Sequence, residues 1–377
     1  MKLSCDRSAL VDKLAILSRG VSTRLVLPVL SGILLQASEG RIELYSTDME
    51  ISIKASLDGA IEQDGEIVVP ARLFNDIVRN LPGDTVTVEA SETTATISGG
   101  HAKFTLNAWS ASDFPQTSTF DMEGMFSVEC KPFVETLNKV GRAASRDETR
   151  PILTGVLMTI AGSELSMVAT DSYRLAVKKT ALEVDLGPEK KAIVPVKALG
   201  EVARLAGSTG DGGKLDIAIG ENQALFRVSY EASEVFIASR LVEGQFPNYG
   251  QLIPDSFDHE VVLARDDFVA AARRVSLLAQ KNAPLRLTFS EGSLTMRALT
   301  QDVGQAEESL AIDFTGESFE IGFNPAYLIE GIEALDGDDA TLQFTNPLRP
   351  GLISDTRHDG DGRNKFTYLI MPIRLSS

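Results

Sequence analysis

The chain has 377 residues, of which 43% are hydrophobic and 24% charged, a composition typical of a folded globular protein rather than a disordered or fibrous one. At roughly 100–200 residues per domain, this length predicts two to four domains. The formal net charge is −17, so the average surface repels polyanions such as nucleic acids, although basic residues gathered on one surface would escape that argument.

The apolar runs of the sequence are short. Residues 25–30 and 32–35 are among the longest, and both fall far below the roughly 20 residues that a membrane-spanning helix requires. The N-terminus reaches charged residues at once and shows no signal-peptide core, so we expect a cytoplasmic protein with no membrane partner. The cysteines, Cys5 and Cys130, match neither a disulfide framework nor a zinc site, and we expect buried thiols.

Four sequence landmarks recur three times in the same order, which indicates an internal repeat. A proline opens an apolar stretch, a Thr-Asp pair follows, a β-like run then turns into a helix, and an aromatic or aliphatic residue before a proline closes the unit. The first two landmarks lie at Pro28, Pro151 and Pro284, and at residues 46–48, 169–171 and, degenerately, 299–301. Units of about 126 residues account for the chain, and each is long enough to own a core. They predict three tandem domains, 1–121, 122–251 and 252–377.

Each unit contains two predicted amphipathic helices, recognised by apolar residues at offsets 0, 4 and 7. For the first helix these residues are Leu10, Leu14 and Leu17, then Phe133, Leu137 and Val140, then Phe268, Ala272 and Val275. For the second helix they are Phe74, Val78 and Leu81, then Leu199, Ala203 and Ala206, then Leu328, Ile332 and Leu335. Elsewhere the apolar period falls to two, as at 41–45, 85–88 and 215–219, which is typical of half-buried strands. The predicted fold class is α+β, with antiparallel sheets covered on one face by two helices per domain.

Basic residues concentrate on the predicted helices. The segments 2–20, 70–81, 129–150, 195–206 and 265–281 together carry 17 basic and ten acidic residues. One interpretation is that Lys and Arg are good helix formers on any solvated face, and the other is that basic helices form a surface for phosphates. The last helix is an exception, because Glu330, Glu333 and Asp336 make it acidic.

The sequence offers no catalytic or metal-binding pattern. The three histidines, His101, His259 and His358, share no motif with a nucleophile or with one another. The glycine-rich segment 207–214 lacks the first glycine and the Ser/Thr of a phosphate-binding loop, and 359–362 lacks ligands of a calcium loop. We therefore predict no enzymatic activity, no cofactor and no metal.

Four motifs carry a likeness to a known family. They are Arg24 before Leu27-Pro28, Val-Ala-Thr-Asp-Ser-Tyr-Arg-Leu-Ala at 168–176, Phe-Pro-Asn-Tyr at 246–249, and Tyr-Leu-Ile-Met-Pro-Ile-Arg-Leu at 368–375. Over its full length the chain resembles the bacterial β sliding clamps, the processivity subunits of the replicative DNA polymerase III. The resemblance implies a clamp fold in a head-to-tail homodimer, a ring of six similar domains with helices inside and sheets outside. Such a ring would encircle double-stranded DNA and slide on sequence-independent phosphate contacts.

The resemblance also implies DNA-binding residues. Arg24 and Arg72 match family positions that touch DNA, and Arg79 and Lys197 lie on the corresponding inner helices. The charge count adds Lys139, Arg142, Arg146 and Arg150. The loop 147–152 departs from better-known members, since acidic and apolar residues stand there in place of amide and tyrosine side chains.

In the family, a groove between the second and third domains binds short, mainly apolar linear motifs of client proteins. The implied clients are the polymerase III alpha subunit, clamp-loader subunits, repair polymerases and mismatch-repair proteins. The groove residues that match in this chain are Leu153, Thr170, Ser172, Tyr173, Arg174, Leu175, Pro247, Leu252, Asn324, Tyr327, Leu348, Met371, Pro372, Ile373, Arg374 and Leu375. Gln251 stands where an arginine is often found, and Ser376 and Ser377 extend past the usual final leucine.

The dimer contact would set Phe104 and Leu106 of one subunit against Leu277 of the other. An alternative function, which the acidic net charge favours, is a three-domain protein-interaction scaffold that does not encircle DNA.

Overall fold

The structure, a computed structural model, describes residues 1–22, 27–115, 120, 124–210, 212–230, 233–279, 283–300, 303–355 and 364–375. One order of elements occurs three times along these residues: a strand, a helix, four strands, a second helix and three strands. The first copy has one additional strand before its second helix. The threefold repeat predicted from the sequence landmarks is confirmed in the order of the elements.

The six helices of the described chain follow the predicted amphipathic segments. They are α1 (Arg7–Leu17), α2 (Ala71–Asn80), α3 (Cys130–Val140), α4 (Val196–Ala206), α5 (Arg265–Ser276) and α6 (Pro325–Glu333). All of the predicted apolar positions are buried, although Leu81 and Leu335 lie just beyond the ends of α2 and α6. Side-chain caps begin two of the helices: Asp6 accepts from the Ala9 N–H at 2.8 Å, and Asn324 accepts from two N–H groups of α6.

Four antiparallel sheets contain the strands of the described residues. The five-stranded sheet has the order β5 (Gly59–Gln63), β1 (Lys2–Asp6), β7 (Thr85–Ala90), β8 (Thr94–Gly99), β9 (Ala102–Asn107). The first eight-stranded sheet has the order β10 (Phe126–Glu129), β15 (Lys214–Ile219), β16 (Gln223–Tyr230), β17 (Ser233–Arg240), β4 (Ile51–Leu57), β3 (Arg41–Thr47), β2 (Gly32–Ser38), β6 (Gly65–Pro70). The second has the order β14 (Lys190–Pro195), β11 (Gly155–Ala161), β12 (Glu164–Thr170), β13 (Arg174–Ala181), β25 (Phe366–Ile370), β24 (Gly351–Asp355), β23 (Asp339–Phe344), β18 (His259–Ala264). The four-stranded sheet has the order β21 (Gly304–Ala311), β20 (Ser293–Thr300), β19 (Leu285–Ser290), β22 (Phe319–Phe323).

The eight-stranded sheets each join strands from two copies of the repeat. In the first, β4 of copy one pairs with β17 of copy two; in the second, β13 of copy two pairs with β25 of copy three. The register is the same in both, because Ala55 pairs with Val235 and Lys178, at the equivalent place, pairs with Phe366. Strand pairing therefore connects consecutive copies by backbone hydrogen bonds.

The chain divides into two compact units, residues 1–134 with 197–241 and residues 135–196 with 242–377. Each unit contains one eight-stranded sheet and one smaller sheet. The middle copy contributes strands to both units, because its sheet strands pair with copy one on one side and with copy three on the other. The domain boundaries at 121/122 and 251/252 stay a prediction.

Both cysteines are buried, as the sequence predicted, and burial raises the pKa of the Cys5 thiol to about 12. His259 is half-buried, with its ring stacked 4.5 Å from that of Phe319. No helix within the described ranges has both the length and the apolar character needed to cross a bilayer.

Candidate peptide-binding groove and nucleic-acid interface

A Thr-Asp turn precedes both strands at which copies of the repeat join. In the second unit, the Asp171 carboxylate accepts from the backbone N–H groups of Tyr173 and Arg174 at 2.9 and 3.0 Å, and Thr170 Oγ1 donates to the Arg174 carbonyl at 2.7 Å. These bonds fix a tight turn in which Ser172 has a φ of +80°. The same turn in the first unit uses Asp48, which accepts from backbone N–H groups at 2.8 and 3.0 Å. The local sequence thus explains both turns.

Arg174 follows this turn and is the centre of a hydrogen-bond network in the second unit. Its Nε donates to Asp171 at 3.0 Å, and its Nη1 forms an ion pair with Glu330 of α6. Its Nη2 donates to the Arg142 carbonyl, and its guanidinium carbon lies 4.1 Å from the centre of the Tyr327 ring. Only 8% of Arg174 is exposed, so this side chain is a buried cation with partners from three elements.

The charges around Arg174 perturb the titration of its neighbours. Burial alone would lower the pKa of the Arg174 guanidinium, but its interactions with Tyr368 and Glu330 outweigh burial and raise that pKa. Burial raises the pKa of Tyr368 more than the nearby guanidinium lowers it. Burial, followed by the charge of Asp171, raises the pKa of Tyr327. Arg174 is therefore cationic and both tyrosines are neutral near pH 7.

The C-terminal segment continues from β25 past this network. The Met371 N–H donates to the Tyr173 carbonyl at 2.8 Å, and the Ile373 N–H donates to the Gly322 carbonyl at 2.7 Å. A Cβ on Gly322 would lie 2.5 Å from Leu375 Cδ2, so a larger residue here would require the Leu375 side chain to move. The tail is thus held by main-chain hydrogen bonds at two points, and Asn324, which caps α6, lies two residues beyond the second.

The predicted groove residues divide by exposure. Leu153, Thr170, Arg174 and Leu175 are buried. Asn324, Tyr327, Pro372, Ile373 and Leu375 are half-buried, whereas Ser172, Tyr173, Pro247, Leu252, Leu348, Met371 and Arg374 are exposed. Tyr173 and Leu348, at 61% and 70%, present large apolar surfaces to solvent, as does Met371 at 39%.

The contacts join part of this set directly. The 170–175 turn, Tyr327 and Met371 are in contact through Arg174 and the Tyr173 carbonyl. The 147–152 loop joins them, since Arg150 Nη1 donates to Ser172 Oγ at 3.1 Å. Leu175 belongs to a buried cluster that also contains Phe246, the residue before Pro247. That these residues form a peptide-binding groove stays a prediction, and for Leu252, Leu348 and Arg374 no described contact joins them to the others.

The acidic residues of α6 and its C-terminal turn are paired with cations of the same unit. Glu330 pairs with Arg174, Asp336 pairs with Lys139, and Glu333 pairs with Arg273 and lies 4.0 Å from Arg142. These ion pairs explain why the last helix is acidic whereas the other helices are basic: its carboxylates neutralise neighbouring cations.

Four predicted DNA-binding residues lie in the second unit. Lys139 is 12% exposed at its side chain, paired with Asp336, and its ammonium lies 5.5 Å above the Phe366 ring. Arg142 and Arg150 are exposed at 48% and 43%, and Arg150 also pairs with Asp147 at 3.0 Å. Arg146 is exposed. Arg142, Arg146 and Arg150 thus have cationic surface to offer a phosphate, whereas Lys139 has little.

Three others lie in the first unit. Arg72 and Arg79 are exposed on α2, and in the part of the chain that the structure describes neither side chain forms an ion pair. Lys197, on α4, is 61% exposed at its side chain and donates to Asp48 at 2.7 Å. Arg24, Ser376 and Ser377 lie outside the described residues.

The predicted dimer residues lie at or near free surfaces. Phe104 and Leu106 are on β9, the last strand of its sheet, where Phe104 is 43% exposed. Leu277 ends α5 and is 83% exposed. In the second unit, β21 is likewise the last strand of the four-stranded sheet.

Sequence reasoning missed four residues of this site: Asp171, Gly322, Glu330 and Tyr368. Asp171 belongs to the motif at 168–176. An aspartate at this position often accepts from the backbone N–H groups two and three residues later, as Asp171 does, so its role in the turn could have been predicted. Glu330 carried a weaker signal, as an acidic residue on a helix otherwise expected to be basic. Only the tertiary structure shows its partner.

Candidate metal ligands do not cluster in the part of the chain that the structure describes. No group of three or more His, Cys, Asp or Glu side chains there could hold a metal ion. At the start of the glycine-rich segment, Ser208 and Thr209 follow α4 and donate side-chain hydrogen bonds to carbonyls of that helix.

Comparison with known proteins identifies the family. The models of the DNA polymerase III beta subunit match the N-terminal domain at residues 1–118, the central domain at 127–248 and the C-terminal domain at 250–374. The chain is 34% identical over 379 residues to the beta sliding clamp of Streptomyces coelicolor and 35% identical over 384 residues to that of Synechococcus elongatus, with 100% of each chain covered.

Solved structures agree with the sequence comparison. The DNA polymerase sliding clamp of Bacillus subtilis superposes with a TM-score of 0.92 at 30% identity, and the DNA polymerase III subunit beta of Pseudomonas aeruginosa with 0.90 at 29%. Each comparison covers 100% of both chains. The repeated elements, the sheet-joining turns and the full-length matches lead to one conclusion: this chain belongs to the DNA polymerase III beta subunit family.

Proposed function

We propose that this protein is the processivity clamp of a bacterial replicative DNA polymerase. Two subunits close head to tail into a ring that encircles double-stranded DNA, slides along it and tethers the polymerase. The observation that carries the proposal is the threefold clamp repeat, matched over the full length by beta sliding clamps. We propose that the ring works in the cytoplasm, with the chromosome, and is a non-catalytic accessory subunit that needs no cofactor.

Free strand edges support the homodimer. The edges of β9 and β21 expose backbone N–H and C=O groups that a second chain could pair with. Phe104, Leu106 and Leu277 would add apolar contact at that joint, with 43% of Phe104 and 83% of Leu277 exposed in the single chain. Pairing of one subunit's β9 with the other's β21 would remove both edges and close the ring.

DNA binding is proposed to be sequence-independent. Arg24, Arg72, Arg79 and Lys197, with Arg142, Arg146 and Arg150, would make weak phosphate contacts that allow sliding, since the ring itself prevents dissociation. Lys139 would act chiefly through its ion pair with Asp336, because only 12% of its side chain is exposed. The net charge of −17 then discourages attachment of DNA to the outside.

The second unit is proposed to bind client peptides. The exposed apolar side chains of Tyr173, Leu252, Leu348 and Met371 would receive a mainly apolar linear motif, and the polar groups of the 170–174 turn would fix its register. Proposed clients are the polymerase III alpha subunit, clamp-loader subunits, repair polymerases and mismatch-repair proteins.

Topological binding can be tested with circular DNA. Labelled protein is loaded onto nicked circular DNA by a clamp loader, and the complex is followed by gel filtration before and after one restriction cut. We expect retention on the circle and loss from the linear DNA, because a ring slides off an open end. Equal retention on both DNAs would contradict encirclement.

A polymerase processivity assay distinguishes a clamp from a protein-interaction scaffold. Replacing Arg72 by Glu should lower polymerase processivity severalfold, because a phosphate-facing cation becomes an anion. The control is Arg41→Glu on β3, also exposed but outside the basic helices. A scaffold without DNA contact would leave processivity the same in both variants.

A further inference from the structure

Arg174 occupies an unusual position for an arginine at a peptide-binding surface. It is 8% exposed, and its guanidinium underlies the half-buried Tyr327 at 4.1 Å. Arg174 therefore packs against one face of the Tyr327 ring, and the half-buried Tyr327 side chain keeps part of its surface accessible to a peptide. The position of the ring then depends on what holds the guanidinium in place.

The carboxylates of Asp171 and Glu330 both bind the Arg174 guanidinium, but they differ in their other contacts. Asp171 also accepts two backbone N–H bonds of its own turn, so replacing it would change the turn as well as the ion pair. Glu330 bonds through its carboxylate to Arg174 alone among the described contacts. Its side chain is 39% exposed, so a substitution there is tolerated by packing and tests the ion pair by itself.

A tyrosine on β25 connects the same groups. Tyr368 Oη donates to the Tyr327 carbonyl at 3.0 Å, and Arg174 Nη1 approaches Tyr368 Oη at 3.5 Å. If Glu330 no longer attracts Nη1, the guanidinium keeps its bonds to Asp171 and the Arg142 carbonyl, and the 3.5 Å approach to Tyr368 is the described contact that still restrains Nη1. The guanidinium can then tilt about its two remaining bonds, and tilting would change its contact with the Tyr327 ring.

We propose that Glu330 is a positioning residue of the peptide groove: by holding Nη1 of Arg174, it keeps the guanidinium in contact with the Tyr327 ring and so shapes the surface that a client peptide meets. The inference rests on the proposed function, since it assumes that the groove binds peptides. Glu330 lies outside the apolar surface, and its effect on peptide affinity would pass through the side chains of Arg174 and Tyr327.

The test uses Glu330→Gln in the full-length protein. The probe is a fluorescein-labelled peptide carrying the apolar motif of the polymerase III alpha subunit, and fluorescence polarisation measures its Kd. We expect about a tenfold weaker Kd, with the melting temperature and the dimer mass unchanged. The matched control is Glu164→Gln, which removes a similarly exposed carboxylate paired at 3.0 Å with Lys179 on the same strand as Arg174, and should bind like the parent.

A double-mutant cycle shows whether the effect passes through Tyr327. In a Tyr327→Ala background, Glu330→Gln should change the Kd by less than about twofold, because the supported ring is absent. Wild-type affinity in Glu330→Gln, or an undiminished effect in the Tyr327→Ala background, would overturn the positioning role while leaving the clamp function intact. If the unaltered protein binds no peptide, both the groove and the inference fail. If Glu330→Gln unfolds, Glu330→Asp, which keeps the charge on a shorter stem, must show an intermediate Kd.

Discussion

The two eight-stranded sheets join copies of the repeat in the same register, yet the side chains at their junctions differ. In the second unit, the Phe366 ring lies on β25 beneath the ammonium of Lys139. At the equivalent places in the first unit stand Val235 on β17 and Ile16 on α1. There a solvent-open pocket of about 600 Å³ is lined by parts of α1, β4, β16, β17 and the end of α4, with charged residues as well as Val235 and Ile16 among its lining.

The two junctions also differ in the charge of their buried side chains. The turn aspartates correspond, but three residues later the second unit has the buried cation Arg174 and the first has the buried apolar Ile51. The second unit therefore has a buried cation at the centre of its junction network, whereas the first has a buried apolar residue there and pairs its turn aspartate, Asp48, with the exposed Lys197. The comparison shows that the same strand pairing can carry different side chains, so a few residues determine the charge and packing of each junction.

The largest effect is expected from removing the buried cation. Arg174→Met keeps similar bulk but leaves Asp171, Glu330 and a buried carbonyl without their partner, which should cost about 3–5 kcal/mol of unfolding free energy. The control is Ile51→Met at the equivalent position, where a volume-conserving apolar change should cost less than about 1.5 kcal/mol. Chemical denaturation of the two full-length variants compares them. Equal losses would show that the network adds no stability beyond packing.

Exchanging the side chains of Phe366 and Val235, which occupy equivalent places on β25 and β17, should have opposite effects on the stability of the two units. Phe366→Val opens a cavity and removes the support of Lys139, so we expect a loss of about 2 kcal/mol. Val235→Phe places a ring into the existing pocket, and we expect a gain of about 1 kcal/mol. Differential scanning calorimetry measures both. A fall in melting temperature with Val235→Phe would mean that the pocket cannot accept a ring.

The smallest effect concerns the ion pair of the first unit's turn. Burial would raise the pKa of Asp48, but the bond with Lys197 and the backbone N–H groups outweigh it and lower that pKa. A carboxyl whose pKa is lower in the folded state stabilises the protein above the unfolded pKa, and this stabilisation is lost as the pH falls through the folded value. Asp48→Asn should therefore unfold with a weaker pH dependence between roughly pH 5 and pH 2.

At neutral pH the loss from Asp48→Asn should stay below about 1 kcal/mol, because Lys197 is exposed and solvent screens the pair. The control is Asp64→Asn, an exposed carboxyl on the β5–β6 connection. If both variants unfold with the same pH profile as the parent, Asp48 contributes nothing to acid stability.

Much of the fold could be predicted because its signals are local. The apolar spacing located all six described helices, and the Thr-Asp pairs marked two of the sheet-joining turns. Some of the predicted groove residues, such as 170–175, are adjacent in the sequence, so a match to the family's sequence motif was enough to propose them. The partners of α6 could not be predicted, since Glu330 and Arg174 are 156 positions apart in the sequence. The pocket beside Val235 was equally invisible, because no local pattern records the volume of a residue on a distant strand.

By itself, the sequence determined the element order, the threefold repeat and the turns, because hydrophobic period and side-chain capping act within a few residues along the chain. Only the tertiary structure decided that the middle copy shares its sheets with both neighbours, that the acidic helix neutralises cations, and that Lys139 is largely covered. These properties depend on which strands meet and on which charges face each other after burial. Such encounters occur between residues far apart in the sequence, where Coulomb attraction and packing act through space.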